Sequence, residues 1–175
     1  MDRVAVFGAR RVPEQEAKYL IVAGKLLAQL GATVETGNDL GAMEIVKSGM
    51  LAHGQGKAMG KVREWLPCAA FRGSPSLLSP PSRQALEIAE DFYPRIWEGL
   101  TFRSRRVLGA LTHTLLGEDC ESKVTFAVCW TRSPDPSCRS SQGIRICNQC
   151  EIQLFNLALV KDRAIFFSMM KRILS

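Results

Sequence analysis

No apolar run in this 175-residue chain is long enough to cross a bilayer. The longest, Phe126 to Trp130 and Leu154 to Val160 with polar Asn156 inside it, fall well short of the roughly 20 residues a span needs. Histidine is nearly missing: His53 and His113 are the only two, and a lone histidine on a helix is more often a packing or capping residue than a catalyst. No Ser-His-Asp or Cys-His arrangement can be built from them. A P-loop is absent, and Gly8-Ala9-Arg10-Arg11 lacks the second and third glycines of a G-x-G-x-x-G turn, which argues against ordinary NAD-type binding. Cys147 and Cys150 form one C-x-x-C with Cys138 nine residues before it, but there is no second pair. Packing is therefore favoured over a zinc or redox site, and neither metal nor cofactor is expected. The Met-Asp-Arg start runs straight into an apolar segment without the features of a secretory signal. The expected compartment is cytoplasmic, with the six cysteines as reduced thiols.

What is present suits one compact domain spanning residues 1–175: 46% of residues are hydrophobic and 23% charged. The net charge of +6 favours an anionic partner, such as nucleotide phosphates or nucleic acid. The dense basic groups are Arg10-Arg11 and Arg103-Ser104-Arg105-Arg106. The second group reads first as a solvated helix start.

Val4-Ala5-Val6-Phe7-Gly8 has the character of a buried parallel strand stopped by a turn. After Pro13, the three- and four-residue recurrence of Ala17, Leu20, Ile21, Gly24, Leu27 and Ala28 predicts a helix ending at Gly31. A second strand over 32–36, a helix over 41–52 and a third, edge strand over 61–66 follow. The Pro- and Ser-rich stretch from Arg72 to Ser82 reads as a surface loop. Helices are expected over 84–92 with Ser82 as cap, and over 104–116. A central strand over 124–130, a loop over 131–141, a helix over 142–150, a strand over 152–157 and a helix over 161–174 complete the chain. The expected architecture is α/β: a Rossmann-like, doubly wound, mainly parallel five-stranded sheet with helices on both faces.

In such a sheet the ligand crevice lies beyond the carboxyl ends of the strands, at the topological switch. The switch is expected between the first and fourth strands. The candidate groups are Gly8, Ala9 and Arg10; Thr36 and Gly37 with Gly41 and Ala42; and Ser140, Ser141, Gln142 and Gly143. Helix N-termini and glycines at these places can cradle phosphate, although glycine after a strand is also an ordinary turn.

In order and spacing the chain resembles the Rossmann-like SLOG superfamily, which includes the DNA-processing protein A (Smf) domain and the Lonely Guy phosphoribohydrolases. The resemblance is to small, often phage- or defence-associated relatives. It rests on Val4 to Arg11, on Thr36-Gly37-Asn38-Asp39-Leu40-Gly41-Ala42, on Leu66-Pro67, on Phe126 to Thr131, and on Gln142 to Ile146 followed by Phe155-Asn156-Leu157. It implies a nucleotide or nucleotide-derived ligand, with Pro67, Trp130 and Thr131 joining the candidate site. Relatives usually carry a glycine pair and a threonine where this chain has Cys138-Arg139-Ser140-Ser141, and many have Ala-Arg-Asn where it has Ala110-Leu111-Thr112. The Pro-Gly-Gly-x-Gly-Thr-x-x-Glu loop of the phosphoribohydrolases is missing.

Cleaving an N-glycosidic bond needs a carboxylate near the ribose. Glu44 and Asp39 are the acids near the expected crevice; Glu44 otherwise complements a helix dipole and Asp39 otherwise serves a turn. The leading expectation is a module that senses or sequesters a nucleotide. The alternatives are a nucleotide or nucleoside hydrolase and a single-stranded DNA-binding protein of the DNA-processing protein A type, though no aromatic stacking platform is evident for the latter. A homodimer, paired through the apolar face of the helix over 104–116, is also expected.

Overall fold

The computed structural model describes residues 3–53, 61–93, 96–132 and 138–175. Five strands, β1 (Arg3–Gly8), β2 (Thr33–Thr36), β3 (Lys61–Glu64), β4 (Phe126–Trp130) and β5 (Gln153–Asn156), form one sheet in the order β3-β2-β1-β4-β5. Every pairing is parallel. Six helices connect and close them: α1 (Glu14–Gln29), α2 (Ala42–His53), α3 (Arg83–Asp91), α4 (Phe102–Leu116), α5 (Arg139–Gln149) and α6 (Val160–Leu174).

Side chains alternate across each strand, so a run apolar at every position must be covered on both faces. Val4, Val6, Phe126, Val128 and Trp130 pack with α1, α2 and α6. Their neighbours Ala5, Phe7, Ala127 and Cys129 pack with α3, α4 and α5. The chain thus leaves β1 towards one face and β4 towards the other, which puts the switch between these two adjacent strands, as the sequence pattern indicated.

Three differences from the expected elements have local causes. β3 stops at Glu64; Leu66 then donates its N–H to Leu78 O, so the chain peels off the sheet edge to pair with its own returning loop. Helix α5 begins at Arg139 rather than Gln142, with Cys138 as its N-cap, and draws three loop residues into its first turn. On α4, the helix expected to pair two copies, Leu108, Ala110, Leu115 and Leu116 are buried within the chain. Among the described residues no helix is long and apolar enough to cross a membrane.

Helices α1 and α2 cross at two glycines. A Cβ on Gly24 would stand 2.1 Å from Val46 O, and one on Gly49 would stand 2.2 Å from Ile21 O. This backbone-to-backbone contact sets how closely α2, and the loop before it, approaches β1. Backbone cannot yield as a side-chain tip can, so Gly49→Ala is expected to lower stability by about 2 kcal/mol or more in urea unfolding. The control is Gly99→Ala, where the nearest atom is an unstrained 3.6 Å away; it should stay within about 0.5 kcal/mol of the parent.

Candidate functional site

At the carboxyl edge of the sheet, the loops after β1, β2 and β3 and the start of α5 surround a cavity of about 600 Å³, within the range of small-molecule sites. One wall is apolar. Val107, Ala110, Leu111 and Thr114 of α4 line it at helical spacing, joined by Phe7, Met43, Pro67 and Phe71. The other wall is cationic, with Arg10, Arg11 and Arg139.

Asp39 stands among these cations with its side chain only 10% exposed. It pairs with Arg10 at 3.2 Å, Arg72 at 3.1 Å and Arg139 at 3.3 Å. Its Oδ1 also accepts the N–H of Leu40, the local turn that fixes the carboxylate. Arg10 follows β1, Asp39 follows β2, Arg72 belongs to a short 3₁₀ turn over Phe71–Gly73, and Arg139 opens α5. One carboxylate therefore ties together four chain segments. Burial, and then the neighbouring Arg10 guanidinium, pull Arg139 below the ordinary arginine range. Arginine remains charged after such a shift, so the cationic wall holds more positive charge than Asp39 neutralises.

The turn carrying Phe71 and Arg72 is held from below. Glu35, fully buried, accepts from Arg3 Nε at 2.8 Å, Arg63 Nη1 at 3.2 Å and Trp65 Nε1 at 2.7 Å. Trp65 stacks on His113 with centroids 4.8 Å apart. His113 accepts the Ser82 N–H at Nε2 and lies 2.7 Å from Gly117 O at Nδ1, which sets the neutral tautomer protonated at Nδ1. Glu64 takes Lys47 and the Ser74 hydroxyl, while Asn38 bridges Lys47 to Phe71 O. Ala70 and Arg72 are both left-handed, at φ 52°, a conformation non-glycine residues adopt only when their surroundings hold it.

Of the residues singled out from sequence, Gly8, Ala9, Arg10, Gly37, Pro67, Thr131 and Ser140 line the cavity. Thr36, Gly41, Ala42, Trp130, Ser141, Gln142 and Gly143 do not. Several of these serve the loop framework instead. A Cβ on Gly41 would meet Ala9 O at 2.4 Å, and one on Gly143 would meet the Phe7 ring at 2.6 Å. The N–H groups of Ala9 and Ala42 are spent on Trp130 O and Ala9 O, so they are not donors for a phosphate. Trp130 Nε1 donates to Glu16, whose carboxyl is held below its usual range chiefly by Arg132. Thr131 exchanges two hydrogen bonds with Asn156, which pins the loop after β4 to the end of β5. Glu44 is exposed on α2 and outside the lining. The residues missed from sequence are Phe71, Arg72 and Arg139, together with the four-residue stripe of α4.

No protein-family model matches the chain, and no curated sequence is similar to it. The class the coordinates define is the Rossmann-like α/β fold with an all-parallel sheet. Two solved structures named for the molybdenum cofactor (Moco) carrier protein of Chlamydomonas reinhardtii are similar to this chain, and the first of them shares this fold. One aligns with 99% of this chain and 86% of its own, at 15% identity and a TM-score of 0.55. The other aligns with 97% and 98%, at 14% identity and a TM-score of 0.46. At these identities the likeness is one of fold.

Cys138 lines the cavity and is half-buried, as are Cys68 and Cys150 outside the lining, whereas Cys129 and Cys147 are fully buried. Burial pushes both of the latter thiols up, that of Cys147 to about 12. Timed alkylation read by peptide mass spectrometry should modify Cys68, Cys138 and Cys150 well before Cys129 and Cys147. Early modification of Cys147 would contradict this packing.

Proposed function

We propose that the chain binds a nucleotide or nucleotide-derived small molecule in this cavity and holds it, as a carrier or sequestering module. The observation that carries the reading is the division of the cavity into an apolar wall and a cluster of guanidiniums around Asp39. A flat ring system buries its faces against Val107, Leu111 and Phe71, while phosphate oxygens take charge-assisted hydrogen bonds from Arg10 and Arg139. The resemblance of the Thr36 to Ala42 and Phe126 to Thr131 segments to the SLOG superfamily supports a nucleotide-type ligand. The fold shared with the Moco carrier protein supports a carrying role.

Holding is favoured over hydrolysis by the state of the carboxylates. Asp39 is the acid in the lining among the described residues, and three guanidiniums and a backbone N–H occupy its oxygens.

Thermal unfolding against a panel of mono-, di- and cyclic nucleotides, NAD and ADP-ribose tests the reading. A ligand at 100 times its dissociation constant adds about 2.7 kcal/mol of stability. The expected result is a clear upward shift with at least one of them, abolished by Arg139→Gln, with the ligand recovered intact. The same ligand should protect Cys138 from alkylation and leave Cys150 unprotected. No shift across the panel would overturn the proposal, and recovery of a free base would replace holding with hydrolysis.

A further inference from the structure

The charge around the cavity exceeds what a single monophosphate needs. Arg10, Arg11 and Arg139 line it, and Arg72 shares Asp39 with Arg10 and Arg139. Arg103, outside the lining, reaches one of its residues: its guanidinium sits 5.6 Å from the Phe71 ring centroid, with that of Arg72 at 5.5 Å. Asp39 is the sole carboxylate in the lining among the described residues, and it already engages three of these cations.

We infer that Asp39 occupies the place of a ligand phosphate, and that the site is built for a diphosphate group, one phosphate displacing Asp39 from its arginines and the next meeting the remaining cations. This deepens the nucleotide reading above and rests on it. Guanidiniums gathered at one point repel one another unless an anion sits between them. Asp39 supplies that anion from within the protein, and it holds Arg10, Arg72 and Arg139 together at one point. A phosphate offers more acceptor oxygens and more charge than a carboxylate, so the exchange favours the ligand once the cations are already gathered. A ligand with one phosphate replaces Asp39 but leaves the outer arginines without a partner.

Calorimetric titration of the full chain, without divalent cations, separates the cases by using inorganic pyrophosphate, orthophosphate, ADP and AMP as probes. Pyrophosphate is expected to bind roughly tenfold more tightly than orthophosphate, and ADP than AMP, the worth of one further charge-assisted hydrogen bond. Asp39→Asn is expected to unfold at lower temperature when empty, and to bind pyrophosphate more tightly than the parent chain. Equal affinity for one and two phosphates would overturn the inference while leaving the nucleotide site standing; failure of every probe would remove both. Weaker pyrophosphate binding by Asp39→Asn would also overturn it, since Asp39 would then be helping to hold the ligand rather than standing in for it. The preference measured in the parent chain decides the matter if the variant does not fold.

Discussion

The carboxyl edge of this sheet depends on a single shared carboxylate. Strand pairing and the two hydrophobic layers fix where each loop leaves the sheet, but they do not fix where the loops go. Asp39, engaged by Arg10, Arg72 and Arg139, supplies that second constraint. Exposed ion pairs taken singly contribute little to stability. Three converge here on one largely buried carboxylate, whose charge offsets their mutual repulsion and ties four chain segments together.

Beneath that clasp the loops are set by close backbone contact. Gly41 presses on the Ala9 carbonyl, Gly24 and Gly49 bring α1 and α2 together, and Gly143 lets α5 lie against Phe7. The buried Glu35 ties Arg3, Arg63 and Trp65 together, while Asn38 and Asp39 hold the left-handed turn at Phe71 and Arg72. The glycines that suggest a phosphate cradle thus work mainly as spacers. In the proposed reading, recognition of an anion falls to side chains brought in by the spaced loops.

Much of the fold was legible in the sequence because its signals are local. The apolar runs at Val4 to Phe7 and Phe126 to Trp130 could only be strands covered on both faces, and the recurrence from Ala17 to Ala28 could only be a helix. The switch point followed from the alternation of these elements. The site was legible in part. Gly8, Arg10 and Gly37 sit at or just past the ends of β1 and β2, and Ser140 in the first turn of α5. Arg72 was hidden in a segment that composition marks as mere loop. Arg139 sits in a stretch where the chain departs from the pattern of the family it resembles. Both matter because of a partner distant in sequence, Asp39, which by itself reads as a turn residue. Long-range pairing of this kind leaves no periodic trace.

The α4 stripe from Val107 to Thr114 shows the same limit from the other direction. Its spacing announced an apolar face, but spacing does not say what that face meets; Val107, Ala110, Leu111 and Thr114 line the cavity. A crystal structure with bound ADP tests the whole account most directly. The account predicts phosphate oxygens within hydrogen-bond distance of Arg10 and Arg139 and the adenine against Leu111 and Phe71. Nucleotide seated elsewhere on the molecule, with the Asp39 cluster untouched, would contradict it.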